Sequence, residues 1–320
     1  MALFSSLAAA GVWAADPATQ NSDQMTETQI EPSDQQENDD RLDSTHRFVV
    51  RHADNIAEWV DGFFGDLETE ETAPYSTIRL RLENEWDEDY GNDFKVSLRG
   101  KVHLPKLNKR LSLLFSDSDE ETSADDLATN KREDSDDVAL QYNVSEKDYS
   151  RFDIKAGIRS NGNPKGAIKY RYKRPITEKL AGRFSEEVRY RGGDGFGSRT
   201  RFQLDRIVSE DKVLRWINRV DWEEEESGID WGSSVSLDRR IAEDKAFSYY
   251  VSIDGNTQPL GRVENYGLGL RYRQSFYKPW LFFEVQPYYQ WRKDIDMDSR
   301  EGVAGLLLQF SAVFEREAKD

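Results

Sequence analysis

The chain has 320 residues and a net charge of −17, with 37% of residues hydrophobic and 33% charged; its mean hydropathy is −0.81. No apolar run reaches the roughly 18–20 residues that a spanning helix needs, which excludes a helical membrane protein but not a barrel, where only alternate residues face lipid. An aromatic share of 12% argues against disorder of the whole chain, and the absence of cysteine excludes disulfide frameworks, thiol catalysis and cysteine metal sites.

The charge is unevenly placed. Residues 16–45 hold nine acids and one base, and residues 117–137 hold ten acids and two bases, which leaves the remainder close to neutral. Nothing forms the basic tail or basic helix face that a nucleic-acid partner requires.

In chain order, residues 1–14 come first. Their stretch LFSSLAAAGVWA is apolar and of signal-peptide length, with Val12 and Ala14 at the small-residue positions before a cleavage site. No Lys or Arg precedes it, which departs from the usual pattern. Residues 15–45 are rich in Gln, Asp, Glu, Ser and Thr. They cannot bury enough apolar surface to offset chain entropy, so a disordered acidic tail is expected. Residues 46–66 change character: Val49, Ala53, Ile56, Val60 and Phe63 recur at helical spacing beside Trp59 and Phe64. This predicts an amphipathic helix. Its stripe of Ile56, Trp59, Val60 and Phe63 is expected to pack on the rim of whatever follows, with a plug inside as the alternative.

From Tyr75 to Phe314 the period becomes two. Ile78, Leu80, Leu82 and Trp86 alternate with Arg79, Arg81, Glu83 and Glu85. The pattern recurs through Phe94–Leu104, Leu111–Phe115, Val138–Val144, Phe152–Ile158 and Ile168–Tyr172, then near 180–190 and 199–208. It continues through Leu214–Trp222, Ile229–Leu237, Phe247–Ile253, Tyr266–Tyr272, Leu281–Trp291 and Ala304–Phe314. Most runs are about 9–11 residues, the length of a tilted membrane strand. Glu186 and Asn218 fall on the apolar face, where a local bulge or a shifted register would account for them.

Connections alternate in kind. Ser145-Glu146-Lys147-Asp148, Thr177-Glu178-Lys179, Ser209-Glu210-Asp211-Lys212 and Ala242-Glu243-Asp244-Lys245 form an internal repeat, one hairpin per unit. The other set is more varied: 117–137, the Gly-rich 192–197, 223–228, 254–262 and 292–301. Trp86, Tyr142, Trp222, Trp231, Trp280 and Trp291 lie near strand ends, as membrane-interface aromatics do.

Over residues 75–314 the chain resembles the porin-like β-barrels of bacterial outer membranes. Its last strand resembles their assembly signal, with Gly305, Leu308, Phe310 and Phe314, although residues 315–320 follow as a C-terminal tail. The fold class expected is all-β: a transmembrane antiparallel up-and-down barrel of about fourteen strands, with twelve as the alternative count, behind an N-terminal helix. The resemblance implies the outer membrane of a Gram-negative bacterium, with the N-terminal tail, the short turns and the C-terminus periplasmic. It also implies outer-membrane lipid and the barrel assembly machinery as partners.

By strand parity the inward bases are Arg79, Arg81, Lys95, Arg99, Lys101, Arg151, Lys155, Arg159, Lys169, Arg171, Lys173, Arg201, Arg215, Arg219, Arg271 and Arg273, joined by Arg110, Arg183, Arg189, Arg191 and Arg199. The inward acids are fewer: Glu83, Glu85, Asp153, Glu187, Asp205, Asp221, Asp230, Asp238 and Glu284. A lumen rich in Arg and Lys favours anions, so a passive channel for small anionic solutes is expected. A lumen closed by an Arg/Lys–Asp/Glu network is the alternative. No catalytic residue, metal site or cofactor is expected. His46, His52 and His103 all fall away from the external side, where a lipid-active Ser–His pair would be placed. Asp294, Asp296 and Asp298 are spaced like a calcium loop, but Ser299 and Gly305 occupy positions that need Gly and a carboxylate. Gly192, Gly193, Gly195 and Gly197 have the wrong spacing for a dinucleotide fingerprint.

Overall fold

The computed structural model describes residues 56–65, 75–116, 137–258, 261–293 and 299–317. The expected signal peptide, the acidic tail, residues 46–55 with His46 and His52, most of the 117–137 loop and Asp294, Asp296 and Asp298 lie outside them. Among the described residues one helix, α1 (Ile56–Phe64), precedes fourteen strands. These are β1 (Tyr75–Asp87), β2 (Gly91–His103), β3 (Leu111–Ser116), β4 (Asp137–Lys147), β5 (Ser150–Arg159), β6 (Pro164–Thr177) and β7 (Leu180–Arg191). The second half comprises β8 (Gly195–Ser209), β9 (Lys212–Glu223), β10 (Asp230–Ala242), β11 (Lys245–Asn256), β12 (Arg262–Phe276), β13 (Lys278–Arg292) and β14 (Glu301–Glu317).

Every strand pairs antiparallel with its chain neighbours, and β14 closes on β1. Closure leaves no open sheet edge, so every strand pairs on both sides. The wall is turned inside out relative to a soluble core. In β1, Ile78, Leu80, Leu82 and Trp86 are exposed, while Arg79, Arg81, Glu83 and Asp87 are buried. The same parity runs around the barrel: Arg79 sits opposite Arg99 on β2 and Val313 on β14.

The strands outrun the periodic segments, because their ends are polar and lose the apolar alternation while keeping the ladder. Residues 315–317 continue β14 instead of starting a separate tail, since Thr77, Ser76 and Tyr75 of β1 pair with Glu315, Arg316 and Glu317. Likewise β8 begins at Gly195, so the expected loop 192–197 shrinks to 192–194. One end of the barrel carries the turns 148–149, 178–179, 210–211 and 243–244, the single residue Tyr277, and one longer link, 104–110. The opposite end carries 88–90, 117–136, 160–163, 192–194, 224–229, 257–261 and 293–300. These are called below the short-turn end and the long-loop end.

The repeated turn sequence has a structural cause. The ladder shifts register between Asn143 and Ser145, Pro175 and Thr177, Ile207 and Ser209, and Arg240 and Ala242. Each shift leaves one extra branched aliphatic residue, Val144, Ile176, Val208 or Ile241, just before the turn. A bulge adds one residue and sharpens the local twist, and all four of these side chains are exposed. Glu186 and Asn218, by contrast, have no bulge near them. Glu186 pairs in continuous register with Tyr170 and Thr200, and Asn218 with Phe202 and Ser233. Both face outward as their parity says, and the expected local reversal does not occur.

Gly305 lets a ring cross the inner surface of β14. A Cβ there would lie 2.0 Å from the Tyr288 ring, so only glycine admits it. Tyr288 thereby reaches β1, where its hydroxyl lies 2.8 Å from a carboxylate oxygen of both Glu85 and Asp87 and donates its one proton to one of them.

Candidate functional site: the plugged, ion-paired interior

Helix α1 lies inside the barrel at the short-turn end, not on the rim. Its buried Ile56, Ala57, Trp59, Val60, Phe63 and Phe64 pack with Val213, Ala246, Phe282 and Val313, interior residues near the short-turn ends of β9, β11, β13 and β14. Those four apolar residues stand on the largely polar interior parity and form a seat. Phe63 meets Phe282 edge to face at 5.6 Å and stacks on Trp59 at 4.7 Å. A nine-residue helix is too short to persist alone in water, so this seat holds it. The helix ends at Gly65, whose φ of 74° is the left-handed cap conformation. A Cβ on Gly65 would also strike the Arg79 guanidinium.

Polar contacts lock the helix across the lumen. Asp61 is 2% exposed. It pairs at 2.5 Å with both Arg183 on β7 and Arg215 on β9. Burial works against ionisation of Asp61, but Arg183 and Arg215 outweigh it and hold the carboxyl below its usual range. Glu58 pairs with Lys173 on β6 at 2.7 Å. The Arg271 guanidinium on β12 lies over the Phe64 ring and donates to the Phe64 carbonyl. Arg240 on β10 lies over Trp59. The helix is thus fastened to both walls.

Beyond the helix, interior charges are paired in clusters. Asp205 accepts from Arg215 at 2.7 Å and from Gln203 at 2.9 Å, and pairs with Arg183 at 3.1 Å. Asp153 holds Arg171 at 2.6 Å and Arg151 at 2.9 Å and accepts from Asn143. Glu284 holds Arg271 at 2.5 Å and Arg273 at 3.1 Å. Asp221 holds Arg199 at 2.5 Å and Arg219 at 2.8 Å, while Glu223 pairs with Arg189. Arg292 grips Asp87 at 2.5 Å near the long-loop end. Asp238 accepts from Ser248 and Ser236.

Charge and space are divided unequally. On β2–β7 the interior parity carries Lys95, Arg99, Lys101, Arg151, Lys155, Arg159, Lys165, Lys169, Arg171, Lys173, Arg183, Arg189 and Arg191. Among the described residues, the acids of that wall on the same parity are fewer: Asp93, Asp137, Asp153 and Glu187, with Glu146 opposite Arg151 beyond the β4 bulge. Small residues, Ser97, Ala139, Gly157, Ala167 and Ser185, stand between them. Lys155 and Glu187 remain partly open at 16% and 18% side-chain exposure, and their ion pair is long at 3.8 Å. The wall from β8 through β14 to β1 is balanced. There Arg79, Arg81, Arg201, Arg215, Arg219, Arg271 and Arg273 stand among Glu83, Glu85, Asp205, Asp221, Asp230, Asp238 and Glu284. On its β11–β14 portion the space is filled by Tyr250, Gln286, Tyr288, Leu307 and Gln309, all buried.

Several interior groups escape period-two reading because they lie at polar strand ends, where the apolar alternation is lost: Lys165, Asp87, Glu223, Asp254 and Arg292. The added acids reduce the interior excess of bases. Arg110 lies outside β3, exposed, with its guanidinium on the Val144 carbonyl at 3.2 Å. Asp61 was missed because it sits within an apolar stripe. The signal that could have found the plug is the apolar set Val213, Ala246, Phe282 and Val313 on polar parity.

Of the strand-end aromatics, Trp86, Trp222, Trp231 and Trp291 stand at the long-loop end and Trp280 at the short-turn end, where it packs on Phe314 at 5.0 Å. Tyr142 lies further inside β4. His103 stands at the short-turn end of β2, with its Nδ1 3.2 Å from the Ser112 hydroxyl. Ser112 is 4% exposed inside the barrel, out of reach of an ester in lipid. The contact pins β2 to β3.

No family model and no curated protein matches the sequence. Solved structures do match in fold. The CymD monoaromatic hydrocarbon channel aligns over 82% of this chain and 97% of its own, at 8% identity and a TM-score of 0.51. An anion-selective porin from Comamonas acidovorans aligns over 75% and 98%, at 8% identity and a TM-score of 0.47. The KdgM porin in complex with disordered oligogalacturonate aligns over 73% and 98%, at 6% identity and 0.38. At such identities the likeness is one of fold: the chain has the closed-barrel architecture of the bacterial outer-membrane porins.

Proposed function

We propose that the protein is an outer-membrane channel of a Gram-negative bacterium. It passes small anions along the basic wall of β2–β7 and is closed at its periplasmic mouth by α1. The observation that carries this reading is the excess of Lys and Arg on the β2–β7 wall, where small side chains stand between the bases and Lys155 and Glu187 stay partly open. Fixed positive charge in a narrow, low-dielectric passage raises the local anion concentration and repels cations. The apolar exterior and its tryptophans suit a bilayer, and the short turns and N-terminal helix take the periplasmic side.

A second reading is a closed structural barrel, favoured by the packed β11–β14 wall and the double ion pair of Asp61. Planar-bilayer recording separates the two. The native chain should conduct weakly or intermittently, Asp61→Ala should raise open probability several-fold, and both should be anion-selective. Silence from both proteins would establish the closed barrel, and cation selectivity would refute the anion pathway.

A further inference from the structure

Polar side chains face outward within the apolar belt of β7–β10: Glu186, Thr200, Asn218 and Ser233, with Ser198 nearer the long-loop end. Their facing is fixed, because no register shift lies near them. Neighbouring outward positions are Val188, Phe202, Trp216, Val220 and Val235, all exposed apolar residues. The Thr200 hydroxyl donates to one Glu186 oxygen at 2.5 Å, and the Trp216 indole donates to Ser233 at 3.0 Å. A carboxylate and a primary amide turned toward acyl chains are unfavourable, and a protein partner relieves this better than lipid.

We propose that two copies of this chain associate in the membrane through the β7–β10 face, with Glu186 of each accepting a hydrogen bond from Asn218 of the other. The proposal rests on the membrane reading above. Two copies inserted in the same sense are related by a two-fold axis along the membrane normal, which makes one patch face itself. With that axis over β8, the β7 strand of one copy faces the β9 strand of the other. The contact then forms twice: a carboxylate oxygen meets an amide donor, and Thr200 stays bonded to the carboxylate. Near the axis, Phe202 and Trp216, in edge-to-face contact at 6.3 Å, supply apolar surface from each copy. A partner with a basic side chain would satisfy Glu186 but not the Asn218 amide donor. A second copy satisfies both.

The chain has no cysteine, so single-cysteine cross-linking in native membranes is clean. Ser198→Cys, outward on β8, should form a disulfide-linked dimer on mild oxidation. Leu308→Cys, outward on β14, should not. In the Ser198→Cys background, Asn218→Leu should weaken dimerisation about tenfold, since two buried polar contacts are lost together, while Glu186→Gln should retain most of it. Equal cross-linking at 198 and 308, none at 198, or no effect of Asn218→Leu would overturn the proposal. The Ser198→Cys comparison needs no patch substitution, so it decides even if a patch variant folds poorly. Co-sedimentation with membranes reads location separately, so the interface and the membrane reading can fail independently.

Discussion

Asp61 occupies the one acidic position on the buried face of α1, and two guanidiniums converge on it at 2.5 Å. Removing it leaves Arg183 and Arg215 still partnered by Asp205, so the cost to the folded barrel is modest, about 1–3 kcal/mol. The cost to docking is larger, because the helix loses its only double ion pair. Asp61→Ala should therefore open the mouth while the barrel stays folded, read as higher conductance with a small drop in thermal midpoint. The pH dependence follows from the sign of the shift. Asp61 is held below its usual value, so its contribution is complete above the unfolded pKa of about 4 and is lost only as pH falls through the lower folded value. Acidification from pH 7 to 5 should leave Asp61 charged and the lock closed. Opening within that window would contradict the lock. At the other mouth, Gly305→Ala should displace the Tyr288 ring and cost about 1–3 kcal/mol by overpacking. Tyr288→Phe keeps the ring and loses only the hydroxyl contacts to Glu85 and Asp87. Denaturation midpoints should therefore rank Gly305→Ala below Tyr288→Phe.

At the scale of elements, the bulged hairpins define the two ends of the barrel. If the short turns are periplasmic, protease added to intact cells should cut within 117–136 and spare 145–149. The opposite pattern would invert the topology. Strand number and facing were legible in the sequence because a wall with one apolar and one polar side imposes period two wherever both sides are occupied. Strand ends were not, since Asp87, Lys165 and Arg292 sit where both faces are polar and no alternation survives. The bulges were hidden too: Val144 reads as the last outward residue of its strand, and Ile176 and Ile241 lie beyond the periodic runs that end at Tyr172 and Leu237. The helix was legible as amphipathic, but its apolar stripe fits a rim and a lumen equally. Its seat was written elsewhere, in Val213 and Phe282, apolar residues on the inward parity of β9 and β13. Glu186 looked like an error of register because local sequence carries no record of what lies beyond the wall.

For the molecule as a whole, the proposed channel has unequal walls: one carries a conducting, anion-favouring path and the opposite one is packed shut. Bases outnumber acids on the β2–β7 wall, so the net field there sets the selectivity. Lys155, with its long contact to Glu187, and Lys165 near the long-loop end are better probes than Arg171, which is bound to Asp153 at 2.6 Å. The selectivity they set should weaken at high salt, where screening shortens to about 3 Å at 1 M. The decisive measurement is the reversal potential of the Asp61→Ala channel in a bilayer under a salt gradient, with and without Lys155→Glu and Lys165→Glu. Anion selectivity that moves toward cations in the charge-reversed protein is the expected result. Cation selectivity in the Asp61→Ala channel, or a reversal potential unmoved by both substitutions, would contradict it.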